Sequence, residues 1–140
     1  MPKGFEVSNV WGARGRGFQM AAVQPDGEII HFTGQVAWDE NEQIVGAGDI
    51  EAQTRCCFEN IRKLLSNVGG ELGDIVSITT YFTDRTQLPV IQKIRTEYLP
   101  TEFAPVSTSI MVAGLGHKDF LVELTPIAVI PFKRFQLPMQ

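Results

Sequence analysis

The run Asp74–Thr83 constrains this chain more than any other segment. Apolar and β-branched residues fill almost every position, and such residues suit a pleated, buried surface better than a helix. Val76, Ile78, Thr80 and Phe82 fall on one face and Ile75, Ser77, Thr79 and Tyr81 on the other. A strand with apolar residues on both faces needs cover on both. The rest of the chain must therefore be read for what could supply it.

Before this strand, Phe18–Val23 reads as extended. Pro25-Asp26-Gly27 has the composition of a hairpin turn leading into a second strand over Ile29–Thr33. Asp49 is placed to cap a helix, with Glu51 in its first turn. Cys57, Ile61, Leu64, Leu65 and Val68 share one face of that helix, and Gly69-Gly70 ends it. A second helix begins near Thr86 or Leu88, tolerates Pro89 in its first turn, carries Ile91, Ile94 and Tyr98 on one side, and stops at Pro100. Ser107–Val112 and Phe120–Val129 close the chain as strands. The order β-β-α-β-α-β-β predicts an α+β domain, with one mixed sheet and two helices on one face. The expected boundaries are an irregular segment over 1–17, a domain over 18–133 and a tail over 134–140.

Two helices cover one sheet face only. The alternate faces of the strands carry Tyr81, Met111, Leu121, Ile127 and Val129. Self-association into a closed oligomer is the economical cover for a second apolar face.

The chain has 140 residues and a net charge of −4, with its basic residues scattered, which disfavours a nucleic-acid partner. No apolar run approaches the ~20 residues of a membrane helix, and Met1–Glu6 lacks the apolar core of a secretory signal. Cys56 and Cys57 are adjacent, which is neither a zinc spacing nor a disulfide framework. They read as core or groove-filling thiols in a reducing cytoplasm. His31 and His117 have no metal-ligand spacing and read as structural or solvated. No nucleotide-binding loop or Ser/His/Asp signature occurs.

Several segments, in this order, resemble the RidA-like (YjgF-like) family. They are Phe32-Thr33-Gly34-Gln35, then Asp49-Ile50-Glu51-Ala52-Gln53-Thr54 with Asn60-Ile61, then Asp74–Asp84, Ala104–Ile110, Val112–Leu115, Val122-Glu123-Leu124 and Ile127-Ala128-Val129. The resemblance covers about residues 18–131. It implies a chorismate-mutase-like homotrimer in which three sheets form a barrel-like centre. Small metabolites would bind in clefts between subunits. Active members hydrolyse reactive imines and enamines to carbonyl products and ammonia, with no cofactor or metal.

Hydrolysis of a 2-imino acid needs a cation for the carboxylate, a polar group to place water and a proton shuttle. Where the family has "PPARTTV", with an arginine that holds the carboxylate, this chain has Ser107, flanked by Pro105 and Thr108. A serine hydroxyl carries no charge, so a substrate other than a simple 2-imino acid is expected. The resemblance makes Glu123 the catalytic acidic residue that positions water, and alternation between Val122 and Leu124 turns it toward the cleft. Thr33 keeps a hydroxyl where the family has serine, Gly34 allows close backbone approach, and Gln92 keeps an amide where asparagine is common. The family's tyrosine near the N-terminus meets Phe18 or Gln19. Arg14 and Arg16, in a glycine-rich loop, offer a guanidinium from another direction. An enamine or imine deaminase and a non-catalytic ligand-binding trimer both remain open. An endoribonuclease activity, also attached to the family, is disfavoured by the acidic charge.

Overall fold

The computed structural model describes residues 2–99, 102 and 105–139. It contains strands β1 (Lys3–Phe5), β2 (Ala21–Val23), β3 (Glu28–His31), β4 (Ile75–Phe82), β5 (Val106–Met111) and β6 (Val122–Ile130), and helices α1 (Ile50–Asn67) and α2 (Leu88–Tyr98). The main sheet has the order β3-β6-β4-β5. Its β4–β5 pair is parallel, and β6 runs antiparallel to both its neighbours. This is the expected mixed sheet. The parallel pair follows from α2, because two parallel neighbours need a crossover connection between them.

α1 is built as its sequence dictates. Asp49 caps it by accepting from the Ala52 N–H at 3.1 Å. At its other end the Gly70 N–H reaches the Leu65 carbonyl at 2.8 Å and the Gly69 N–H the Ser66 carbonyl at 3.3 Å. Gly69 sits at φ +82°, the left-handed turn that this closure requires. Cys57, Phe58, Ile61 and Leu65 are fully buried against Ile75, Ile78, Val122, Leu124 and Ala128 of the sheet. Leu64 departs from expectation: it is 47 % exposed and lines a groove instead. In α2, Ile91 and Ile94 enter the same core, and the Tyr98 ring stacks on Phe58 with centroids 4.8 Å apart. Pro89 occupies the first turn, as expected. Leu99 is extended, as the residue before a proline should be. Pro100 itself, expected to stop the helix, lies outside the described residues, as does Ala104 of the motif preceding β5.

Two expectations are corrected at the N-terminus. β2 pairs with β1, Lys3 opposite Val23 and Phe5 opposite Ala21, and not with β3. Pro25-Asp26-Gly27 is therefore a bend between two sheets, not a hairpin turn. Residues 1–17, expected to be irregular, include β1. The physical reason is competition for backbone partners. The free edge of β5 takes up residue 19, where the Gln19 N–H donates to the Pro105 carbonyl at 3.0 Å. β1 satisfies residues 21–23. Together these outbid a local turn.

The tail beyond residue 133 is docked as well. Arg134 reaches fully buried Asp74 (Nη2–Oδ1 2.6 Å) and the Gly69 carbonyl (3.1 Å), while Phe135 packs on the core.

A bulge between Ile75 and Ser77 moves Ile75 onto the helix-covered face beside Ile78. The other sheet face carries Tyr81, Ile110, Ile127 and Val129, with Ser77, Thr79 and Thr108 among them. Val129 is already buried within the chain, whereas Ile110 is 40 % exposed. Met111 stands opposite Phe82 and so belongs to the helix-side register, not with Tyr81 as alternation across elements suggested.

Candidate functional site

Glu123 lies on β6 directly opposite Tyr81, on the face that no helix covers. The β3 register ends with His31 opposite Ile127, and pairing resumes with Gln35 opposite Leu124. Four steps on one strand thus face three on the other, so a bulge falls at Phe32-Thr33-Gly34. Pro126 explains its place. Leu124 exchanges both backbone bonds with Gln35, at 2.8 and 3.0 Å. Pro126, two residues on, presents the same edge but has no N–H to give. The ladder must break there, and Gly34 fills the break. A methyl group on Gly34 would collide with the Glu123 carboxylate. Glu123, Gly34 and exposed Thr33 thus form one corner. Its sequence signal is the pair of a glycine and a proline inside otherwise regular strands.

Thr33 and Gly34 also begin a groove of about 840 Å³ between α1 and residues 33–45, walled by Trp38, Cys56, Asn60 and Lys63. Asn60 ties the far wall, its Nδ2 donating to the Val36 and Trp38 carbonyls at 3.2 and 3.1 Å. Burial pushes the thiols of both Cys56 and Cys57 upward. Neither is an activated nucleophile. Cys57 is core and Cys56 lines the groove, as read from the sequence.

Ser107 belongs to a different place. It pairs with Ile78, whose side chain is buried under the helices, so it faces away from Glu123 across the sheet. Its hydroxyl accepts from Arg95 Nη1 at 2.9 Å. Arg95, on α2, is 2 % exposed, and burial holds its guanidinium below its ordinary range. Nη2 donates to the Arg16 carbonyl at 3.4 Å, and the group lies 5.8 Å from the Phe18 ring centre. Gln92 is one turn earlier on the same side of α2.

Arg16 holds its own loop together: Nε donates to the Ala13 carbonyl at 2.9 Å and Nη2 to the Gly12 carbonyl at 2.7 Å. Its guanidinium stacks over Trp11 and Phe18. Arg14 is exposed at φ +52°. The chain therefore gathers Phe18, Arg16, Ser107 and the Gln92 side of α2 in one cluster. Thr33, Gly34 and Glu123 form another. It does not join the two.

Two buried polar residues escaped the sequence reading. Gln53 bridges three backbone groups, donating to the Gly46 and Asp119 carbonyls and accepting from the Leu121 N–H. Arg95 stands four residues after Ile91, a core position of α2, and a charge at such a position was the available signal. His117 Nδ1 accepts from the Asp119 N–H at 3.0 Å within its turn. His31 is exposed. Among the described residues no group of His, Cys, Asp and Glu is placed to hold a metal, and no helix is long and apolar enough to cross a membrane.

The family described as endoribonuclease L-PSP matches residues 16–130. The chain is 36 % identical over 100 residues to the 3-aminoacrylate deaminase RutC of Acinetobacter baylyi, covering 71 % of this chain and 78 % of that one. Among solved structures it is similar to the Rid-family protein YyfB of Yersinia pestis. There the TM-score is 0.84 at 26 % identity, over 92 % of this chain and 98 % of that one. It is also similar to RidA of an Antarctic Psychrobacter, with a TM-score of 0.68 at 27 % identity, over 79 % and 89 %.

Proposed function

Because the chain belongs to the endoribonuclease L-PSP family, with RutC- and Rid-type relatives, we propose that it is an enamine or imine deaminase. On this reading it works as a homotrimer in the cytoplasm, without cofactor or metal, in clefts between subunits. The observation that carries the reading is the Glu123 corner. A carboxylate on an uncovered sheet face rests against the Gly34 backbone, with exposed Thr33 the preceding residue. Glu123 takes a proton from water as the oxygen attacks the imine carbon. It gives that proton to nitrogen, leaving a carbinolamine, then takes the hydroxyl proton and passes it to the amine as the C–N bond breaks, so that ammonia leaves and a carbonyl remains. An enamine first gains a proton at carbon and loses one from nitrogen, giving the same C=N group.

Self-association supplies what one chain lacks. The apolar residues Ile110, Ile127 and Tyr81 stand on the helix-free face. Closure of three such faces removes them from water and brings a second chain's surface to Glu123. The net charge of −4 argues against an RNA substrate.

Uncharged Ser107 favours a second reading, a binding trimer without catalysis. Ammonia release decides between them. The protein is mixed with freshly generated 2-imino acids and with larger enamines, beside Glu123→Ala. Release above background that is lost in the variant supports the deaminase. Silence across the panel supports the binding protein.

A further inference from the structure

Arg95 is a buried cation without an anion. At 2 % exposure it has no carboxylate within ion-pair distance among the described residues, and its Nε–H finds no acceptor. Its two bonds go to a serine hydroxyl and a backbone carbonyl, both neutral. Buried charges are ordinarily paired, because burial without a partner is costly. A residue needed only to tie the N-terminal loop to α2 could do so without a charge. The surroundings deepen the imbalance. The Arg16 guanidinium lies 5.7 Å from the same Phe18 ring, on the loop that also carries Arg14. The acid that reaches this loop, Glu6, is already engaged with the Ala13 N–H at 2.7 Å.

Space lies beside the Phe18 ring that this cation approaches. A cavity of about 260 Å³ is walled by Arg14, Gly15, Gly17, Phe18 and Gln19, together with Ala13 and the Glu6 that the Ala13 N–H engages. That is room for several waters and so for a small anion. Phe18 belongs to its wall and its ring centre also lies 5.8 Å from the Arg95 guanidinium, which is itself not part of that wall, so a path between the two requires this half-buried ring to move. Gly15 and Gly17, both at positive φ, flank the loop beside it.

We propose that Arg95 is an anion-binding residue, and that its guanidinium, steadied by Ser107 and roofed by Phe18, receives the carboxylate of a small ligand when the ring turns aside. A guanidinium fork matches a carboxylate in two places, and the idle Nε–H with a neighbouring Nη is one such edge. Ser107 is then a positioning residue that orients Arg95. That the carboxylate belongs to a substrate rests on the deaminase reading above. Together the two assign a carboxylate-bearing imine or enamine, simple 2-imino acids included, which Ser107 alone spoke against.

The test is calorimetric titration of the full-length protein with pyruvate, a 2-oxo acid that hydrolysis of such an imine releases, and with its neutral methyl ester. Arg95→Met keeps the buried stem, Arg95→Lys keeps the charge without the fork, and melting curves report folding. The expected result is pyruvate affinity about tenfold or more weaker in Arg95→Met, an intermediate loss in Arg95→Lys, and no comparable binding of the ester. Ammonia release should show the same variant raising KM far more than it lowers kcat. Equal pyruvate binding by wild type and a folded Arg95→Met, equal binding of the ester, or no pyruvate binding by wild type would each overturn the proposal. If Arg95→Met fails to fold, a folded Arg95→Lys that binds pyruvate as tightly as wild type overturns it. Arg95-dependent pyruvate binding without ammonia release leaves the anion site standing and sinks the deaminase. Ammonia release with KM unchanged in Arg95→Met does the reverse.

Discussion

Gly34 shows how much one missing side chain can decide. Its backbone lies where any Cβ would strike the Glu123 carboxylate. Gly34→Ala is therefore expected to displace Glu123 and lower ammonia release at least about tenfold, while the melting temperature moves by a few degrees at most. A melting temperature that falls as steeply as activity would instead make Gly34 a folding residue. Cys57 illustrates burial. Its folded-state pKa is raised, so its contribution to stability is whole below the ordinary thiol pKa of about 8.5. That contribution is lost as pH rises and the unfolded chain ionises first. Stability should decline above that pH, less steeply in Cys57→Ala. In the native protein Cys57 should resist thiol reagents until denaturant is added.

At the scale of elements, the junction between α1 and the chain terminus is the most exposed to test. Arg134 supplies the partner of an Asp74 that has no exposure at all. Removing one member of a buried pair commonly costs 3–5 kcal/mol. Because Arg134 itself is 32 % exposed, Arg134→Ala should cost less, about 2–3 kcal/mol, in urea unfolding. Gly69→Ala places a side chain at positive φ and against the Arg134 carbonyl. A loss of about 1–2 kcal/mol is expected from the backbone alone, with release of residues 134–139 seen as faster proteolysis of the tail. The helices and the strands β4–β6 were legible in the sequence because their signals are local: an Asp cap, a Gly-Gly stop, strict alternation. β1 was not, because three residues of strand have no periodicity to read. The missing hairpin was not, because Pro25-Asp26-Gly27 carries turn chemistry that only distant edges overrule.

At the scale of the whole molecule, one sheet face has helices and the other has none. If self-association covers it, a charge there should prevent assembly without unfolding the chain. Ile110→Lys is expected to shift the mass in sedimentation from trimer toward monomer while far-ultraviolet dichroism stays unchanged. A wild-type monomer would remove the inter-subunit cleft from the proposed function. Assembly also bears on the two clusters, since Glu123 and Ser107 face opposite sides of one sheet and a single chain does not bring them together.

The sequence by itself determined the helices, the alternating strands, the mixed sheet and the family. Each rests on short-range spacing and residue type, which need no knowledge of distant contacts. It also marked Glu123, Gly34 and Ser107 as the positions to watch. Only the tertiary structure decided what surrounds them. It put a proline beside Gly34 to break the ladder, tied the tail to Asp74, and carried the N-terminal segment to the edge of β5. It also brought Arg95 from a core position of α2 to the Ser107 hydroxyl. A charge on a helix reads as a solvated face until packing shows that it is buried, and no spacing within the chain announces which distant hydroxyl it will meet.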